Sequence, residues 1–219
     1  MANQDSFINE VTEEVRRDRL FALMRRYGWI AVLLVILIVG GAAVNEWRKS
    51  SARAEAEATG DALIAALRED SAEARAAALA AIDPADEPGK RAVLGLLQSA
   101  AAGEAGDADA ANAALDSIIG DTEVPQVYRD LATLKRVING VGNLAPEERI
   151  SRLQPLMQPG NPFRLLAIEQ RAYAEIELGQ KDAAIETLLG ILADAERTED
   201  LRRRAQQLIV ALGGSLDQG

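Results

Sequence analysis

Cysteine and histidine are both absent from this chain of 219 residues. Without cysteine there are no disulfides and no thiolate metal ligands, so the sequence carries no sign of the redox state of its compartment. Without histidine, the common Ser–His and Cys–His catalytic pairs and the histidine zinc sites are excluded as well. A Ser–Lys pair or a pair of carboxylates is the catalytic alternative that stays open, but the acidic pairs at 13–14, 86–87 and 147–148 are typical of solvated helix ends. We therefore predict a protein that is not an enzyme, with no cofactor, no metal and no small-molecule substrate.

Aromatic residues are also scarce, at 4% of the chain, and no stretch alternates β-branched and polar residues, so the sequence does not favour sheet. Alanine, leucine and glutamate dominate instead, which favours helix. Apolar residues recur every three or four positions, as in Val127, Leu131, Leu134 and Ile138. Glycine and proline interrupt these stretches at 83–84, 120–125, 140–146, 159–162 and 213–214. We predict an all-α chain with about eight short antiparallel helices.

A long apolar run is present near the start of the chain. Residues 30–44 are all apolar or glycine, and the segment 28–47, about twenty residues, spans roughly 30 Å as a helix, the hydrocarbon thickness of a bilayer. We predict a transmembrane anchor at 28–47 that contacts the lipid bilayer. Aromatic and basic residues suited to the two membrane interfaces flank it: Arg25, Arg26, Tyr27, Trp29, Trp47, Arg48 and Lys49.

The distribution of basic residues predicts the orientation. Five arginines precede the run and three basic residues follow it within a similar distance, so the positive-inside rule leaves the N-terminus in the cytoplasm and exports the rest. A cleaved signal peptide is the alternative, with small residues at 41–43 as a cleavage site. The region before the run is long and contains acidic residues, which favours an uncleaved anchor.

Charge is divided unevenly along the chain. Residues 1–53 carry a net +2 and residues 54–219 a net −12. An acidic domain argues against nucleic acid or anionic lipid as its ligand, because both require a cationic surface. The residues after the anchor are numerous enough to bury one core.

The segment before the anchor, residues 1–27, is predicted to be a cytoplasmic tail with an amphipathic helix. Phe7, Ile8, Val11 and Val15 share one helical face. The segment either forms a short amphipathic helix near the inner leaflet or is a disordered tail; the alternative is a helix that docks on a cytoplasmic or membrane partner.

The exported part shows an internal repeat. Gly106, Gly142 and Gly179 are 36 and 37 residues apart and each lies between two helical stretches. A helix–turn–helix unit with a period near 34 is typical of tetratricopeptide repeats. We predict a helical neck with capping helices at 48–87, a tetratricopeptide-like solenoid at 88–213 and a tail at 214–219. A non-repetitive helical bundle with evenly spaced glycines is the alternative.

Four segments carry a resemblance to a known family: residues 5–8, 13–20, 27–30 and 41–48, which read DSFI, EEVRRDRL, YGWI and GAAVNEWR. With the anchor and the degenerate repeats, they resemble the bacterial tetratricopeptide-like ancillary subunit of the SecYEG translocon. The resemblance covers the whole chain, and its motifs are architectural. It implies an inner-membrane protein with periplasmic repeats that associates with the translocon channel and a membrane-anchored periplasmic chaperone.

Other short patterns have structural explanations. Residues 140–145 match a dinucleotide-binding string, but a helical stretch precedes them, which favours a turn. Asp107 is a plausible N-cap. The Arg202, Arg203 and Arg204 run is predicted to be the exposed face of the last helix, with docking of an acidic partner as the alternative. Five aromatic and basic residues are candidate partner contacts, with packing between repeats or ordinary surface charge as the alternative: Tyr128, Arg129, Phe163, Arg164 and Tyr173.

Together these features predict a membrane-anchored periplasmic scaffold that works by protein–protein contact. The first hypothesis is an accessory translocon subunit that links protein export to periplasmic chaperones. The second is a structural accessory subunit of another inner-membrane complex, respiratory or photosynthetic. An enzyme of unknown type is the weakest of the three.

Overall fold

The computed structural model describes residues 2–84 and 86–216; for residues 2–23 and Ala31 it describes the backbone alone. Every regular element in this described part is helical, and the part contains no strand. The chain divides into two compact units, residues 1–60 and residues 61–219. The prediction of an all-helical chain is therefore confirmed over the described residues.

The first helix, α1 (Ala2–Leu67), contains the apolar run. No proline interrupts it, and its length is roughly 100 Å at about 1.5 Å per residue. Within the described residues, it is the one helix long and apolar enough to cross a membrane. Its apolar side chains are not covered by protein, as Ile36 at 63% and Leu37 at 66% exposure show. The predicted stripe from Phe7 to Val15 falls on side chains outside the described part.

Eight further α-helices are described after α1, and the predicted interruptions coincide with the turns between them. They are α2 (Ala72–Ala80), α3 (Pro88–Glu104), α4 (Ala108–Gly120), α5 (Gln126–Asn139), α6 (Pro146–Leu153), α7 (Arg164–Glu177), α8 (Lys181–Ala193) and α9 (Glu199–Ala211). A short 3₁₀ helix (Gln154–Met157) follows α6. We call residues 61–216 the helical body. The predicted tail at 214–219 is described only to Leu216.

Local chemistry explains where these helices begin. Side-chain oxygens of Ser71, Asp107 and Thr198 accept hydrogen bonds from backbone amides three residues ahead, at 3.0, 2.9 and 3.3 Å. Such N-caps satisfy amides that have no partner within the helix. Helices α3 and α6 instead have proline in their first turn, where no backbone donor is needed. The prediction of an N-cap at Asp107 is confirmed.

Glycine explains where three helices end. Gly106, Gly179 and Gly213 follow α3, α7 and α9 with φ of 78°, 74° and 74°. In each case the amide after the glycine bonds the carbonyl five residues back, at 2.9, 2.9 and 2.8 Å. This is the Schellman arrangement, in which glycine avoids the steric cost that a Cβ would incur at positive φ.

Each helix of the body packs mainly on the next one along the chain, and α5 also contacts α3 and α7. The buried apolar residues therefore form four small clusters along the body instead of one large core. Alanine and glycine permit close approach of neighbouring helices: a Cβ on Gly95 of α3 would lie 2.9 Å from Ile118 Cδ1 of α4. Packing in the described part of the body is therefore mostly local along the chain.

Candidate interaction surface

Two of the candidate contact residues lie in the first turn of α5. Tyr128 is half-buried and packs against the cluster that contains Leu115 and Val124. The Arg129 guanidinium donates a hydrogen bond to the Gln126 side chain. Tyr128 thus has a packing role, and Arg129 is partly covered.

Phe163 and Arg164 lie at the start of α7. Phe163 packs against the cluster formed by α5, α6 and α7. The Arg164 guanidinium donates hydrogen bonds to Asp194, at 2.8 Å, and to Glu196, at 2.6 Å, both in the turn after α8. These bonds raise the pKa of Arg164, first through Asp194, and the Arg164 contact lowers the pKa of Asp194. Arg164 therefore ties α7 to the turn after α8.

Tyr173, in the middle of α7, is half-buried. Burial raises the pKa of its hydroxyl, and the nearby Glu169 carboxylate raises it further. That carboxylate, only 3% exposed, accepts two hydrogen bonds from Arg204 of α9, at 2.7 and 2.8 Å. The five candidates therefore lie in three places of the body: two at the start of α5, two at the start of α7, and Tyr173 in mid-α7.

The arginine run at the start of α9 lies between two buried residues, Leu201 at 2% and Ala205 at 0% exposure. Arg202 pairs with Glu199, and Arg203 pairs with Asp200. Arg204 crosses to Glu169. Because each of the three arginines has an acidic partner within the chain, the run adds little net positive charge to the surface.

A groove of about 480 Å³ lies beside Arg164. Its walls come from the turn before α7, the first turn of α7 and the start of α9, and they include Leu165, Leu166 and Leu201. Leu166 is 40% exposed. The lining of the groove thus combines apolar side chains with the ion pair of Arg164 and Glu196.

An equivalent apolar side chain is found on α3. Val93 is 39% exposed and precedes Leu166 by 73 residues. Val93 and Leu166 were not among the residues that sequence reasoning selected, because isolated surface valine and leucine are ordinary. The fixed 73-residue separation was present in the sequence and is the signal that would have linked them.

The contact made by Arg164 also recurs 73 residues earlier. Arg91, in the first turn of α3, donates to Asp121 at 2.9 Å and to Glu123 at 2.8 Å. Both acids lie in the turn after α4. The Asp121 side chain also accepts from the Glu123 amide at 2.9 Å, and this bond and the Arg91 contact lower the pKa of Asp121.

In the middle of the body a carboxylate–amide hydrogen bond takes the place of the ion pair. Asp130 of α5, 7% exposed, accepts from Asn161 at 2.8 Å and from Gln126 at 2.6 Å. Asn161, in the turn before α7, accepts in turn from the Phe163 amide at 2.9 Å. Three successive helix pairs are thus each held by a contact from the first helix to the turn after the second.

The anchor flanks are all exposed on α1. Tyr27, Trp29 and Trp47 are 50%, 63% and 71% exposed, and the Arg26 guanidinium lies 5.7 Å from the centre of the Tyr27 ring. Rings of this kind favour the interface between lipid and water.

The described residues contain no group of three or more carboxylate side chains placed to hold a metal ion. The glycine-rich string at 140–145 forms the turn between α5 and α6, and a helix precedes it. The interpretation of this string as a turn is confirmed.

Comparison with models of protein families, with curated proteins and with solved structures found no match in any of the three.

Proposed function

We propose that this chain is a single-pass inner-membrane protein that serves as an accessory subunit of the protein-export translocon and links the channel to periplasmic chaperones. Its N-terminus is cytoplasmic, α1 anchors it, and the helical body is a tetratricopeptide-like scaffold in the periplasm. The observation that carries the proposal is the combination of one apolar helix with a body of successive small helix pairs.

The anchor supports a role at a membrane. A fully apolar helical stretch with uncovered side chains has no partner within its own unit. Exposure of this apolar surface to water costs a free energy of about 25 cal/mol per Å², and this cost is avoided when the surface contacts lipid. Aromatic and basic residues at both ends of the stretch match the two interfaces.

The body supports a role in binding protein. The pairs α3–α4 and α7–α8 each contain a glycine turn, at Gly106 and Gly179, and each is held by an arginine that contacts the turn after its second helix. Stacked pairs of this kind expose a long surface on which a partner helix or strand lies. The groove at Leu166 and the exposed Val93 are the positions on this surface that we assign to partner contact.

The resemblance of residues 5–8, 13–20, 27–30 and 41–48 to translocon ancillary subunits supplies the particular partners. It is the part of the proposal that rests on sequence alone. The acidic body is consistent with protein partners, because a net charge of −12 beyond residue 53 favours protein over nucleic acid as a ligand.

Photo-crosslinking in living cells tests the proposal. A photoreactive phenylalanine analogue is placed at Leu37 in the anchor, at Val93 and at Leu166, and the adducts are identified by mass spectrometry. Glu186, exposed on α8 and outside the groove, is the matched control. We expect adducts with the channel from Leu37 and with a periplasmic chaperone from Leu166 and Val93, and none from Glu186.

Adducts confined to a respiratory or photosynthetic assembly would replace the translocon with the second hypothesis. Equal labelling from Glu186 and Leu166 would mean that the groove has no special part in binding.

A further inference from the structure

The helices of the body repeat at a longer interval than single helix pairs do. Helix α4 begins and ends at 108 and 120, and α8 at 181 and 193, so both bounds are shifted by 73 residues. The ends of α3 and α7 and the starts of α5 and α9 are shifted by the same 73. The starts of α2 and α6 differ by 74. Four consecutive helices thus recur in the same order. The second and third turns have equal lengths in the two halves, whereas the first turn is seven residues long after α2 and ten after α6.

Buried positions recur at the same interval. Several residues of the first half that are at most 3% exposed have an identical, equally buried residue 73 positions later: Ala101 and Ala174, Ala111 and Ala184, Leu115 and Leu188, Ile118 and Ile191, Ala132 and Ala205. Leu79 of α2 and Leu153 of α6, 74 residues apart, are both 0% exposed. A shift of one residue would turn such positions toward a different face of their helix, so the match sets one register.

Ion pairs recur as well. Besides the matching contacts of Arg91 and Arg164, Arg75 of α2 pairs with Glu104 at the end of α3. Arg149 of α6 pairs with Glu177 at the end of α7.

The detail extends to atoms without a partner. The Nε atoms of Arg75 and Arg149 are both buried, and neither donates a hydrogen bond. Both arginines reach an acidic residue at the end of the following helix with a terminal guanidinium nitrogen, although the Arg75 side chain is 26% exposed and that of Arg149 is 1% exposed.

The single helix pair is a poorer repeat than the four-helix unit. Between the two arginine contacts, the corresponding contact of the middle pair is Asp130 with Asn161, and its second helix, α6, is only eight residues long. Adjacent pairs therefore differ in this contact and in the length of the second helix, whereas the pairs α3–α4 and α7–α8 share the arginine contact and a second helix of 13 residues.

We infer that the helical body is a tandem duplication of one four-helix unit, α2–α5 followed by α6–α9. The ion pairs made by Arg75 and Arg91 in the first unit are repeated by those of Arg149 and Arg164 in the second, and they stabilise each unit. The inference concerns the way the body is built and stands whether or not the translocon is the partner.

Reciprocal exchange of equivalent helices tests the duplication in the full-length chain in detergent. In one chimera residues 108–120 are replaced by a copy of 181–193, and in the other residues 181–193 are replaced by a copy of 108–120. Each has a matched control in which the inserted thirteen residues are rotated by one position, so that composition and length are unchanged. Unfolding in urea is followed by circular dichroism.

For each in-register chimera we expect one cooperative transition with a midpoint within about 0.5 M urea of the parent. For each rotated control we expect either a midpoint more than about 1 M urea below that of the parent or no cooperative transition. A higher urea midpoint than the rotated control in only one of the two chimeras still supports the inference, because a single unfavourable side-chain contact can destabilise the other chimera. If neither in-register chimera is more stable than its rotated control, α4 and α8 are not equivalent and the duplication is refuted.

Discussion

At the scale of single residues, the glycines that end helices have a structural requirement that other glycines lack. Gly179 has φ of 74° and forms the turn between α7 and α8, although a Cβ there would meet no neighbouring atom within 4 Å. The requirement is therefore conformational and not steric crowding by other parts of the protein. Gly190, inside α8, also has open space, but its φ is not positive.

This contrast predicts opposite effects for one substitution. Gly179→Ala should destabilise the body by about 1 kcal/mol, because alanine is strained in the left-handed region. Gly190→Ala should stabilise it by about 0.5–1 kcal/mol, because alanine is the better helix former. Urea unfolding of the two variants measures both signs. Destabilisation by both substitutions would mean that α8 tolerates no added methyl group at position 190.

A second residue-scale prediction concerns the Asp194 carboxylate. Arg164, first, and the Glu196 amide lower its pKa in the folded state. A carboxyl whose folded pKa is lowered adds stability above its unfolded pKa, near 3.9, and that stability is lost as pH falls through the folded value. The stability difference between the parent and Asp194→Asn should therefore be largest above about pH 5 and shrink toward pH 2.

Unfolding midpoints in urea at pH 6, 5, 4 and 3 measure this difference. Glu186→Gln, which removes an exposed carboxylate on α8, serves as the control and should follow the parent at each pH. A difference for Asp194→Asn that stays constant across the series would show that the ion pair with Arg164 contributes nothing that depends on pH.

At the scale of helices, the sequence predicted the elements well and their buried faces less well. The interruptions predicted at 120–125, 140–146 and 159–162 coincide with turns, whereas the turn at 194–198, which contains neither glycine nor proline, was not predicted. The apolar series on α5 identified a helix, yet Val127 and Ile138 are 46% and 45% exposed, while Ala132 and Val137 are fully buried. Helix α5 contacts α3, α4, α6 and α7, so no single apolar stripe describes its core-facing side.

Buried charge was the feature least accessible to sequence reasoning. Glu169 and Arg149 are 3% and 1% exposed, although glutamate and arginine are normally surface residues. Each makes an ion pair with a residue on another helix, Arg204 for Glu169 and Glu177 for Arg149. Such pairs depend on the packing of distant helices, which periodicity along one helix does not encode. The candidate contacts share this limit, since Arg164 proved to be engaged with Asp194 and Glu196.

At the scale of the whole molecule, the division of charge and hydropathy along the chain is the basis of the proposed topology. The apolar stretch of α1 separates a region with five arginines from a region where only three basic residues lie near the membrane. Moving positive charge outward across an inner membrane, against its potential, is unfavourable, and on this ground we propose that the more basic end stays in the cytoplasm. The acidic remainder has no such obstacle to export.

The absence of cysteine makes this topology directly measurable, because any introduced thiol is the only one in the chain. Ser6→Cys places a thiol before the anchor, and Asn143→Cys places one in the exposed turn between α5 and α6. In cells with a permeable outer membrane and an intact inner membrane, a membrane-impermeant maleimide should label Asn143→Cys and should label Ser6→Cys only after lysis. The reverse pattern would invert the topology and remove the periplasmic chaperone from the proposal. A helix that spans the membrane resists extraction at alkaline pH, because its apolar side chains remain in lipid. Labelling of both variants before lysis, together with release of the protein at alkaline pH, would therefore mean that α1 does not span the membrane.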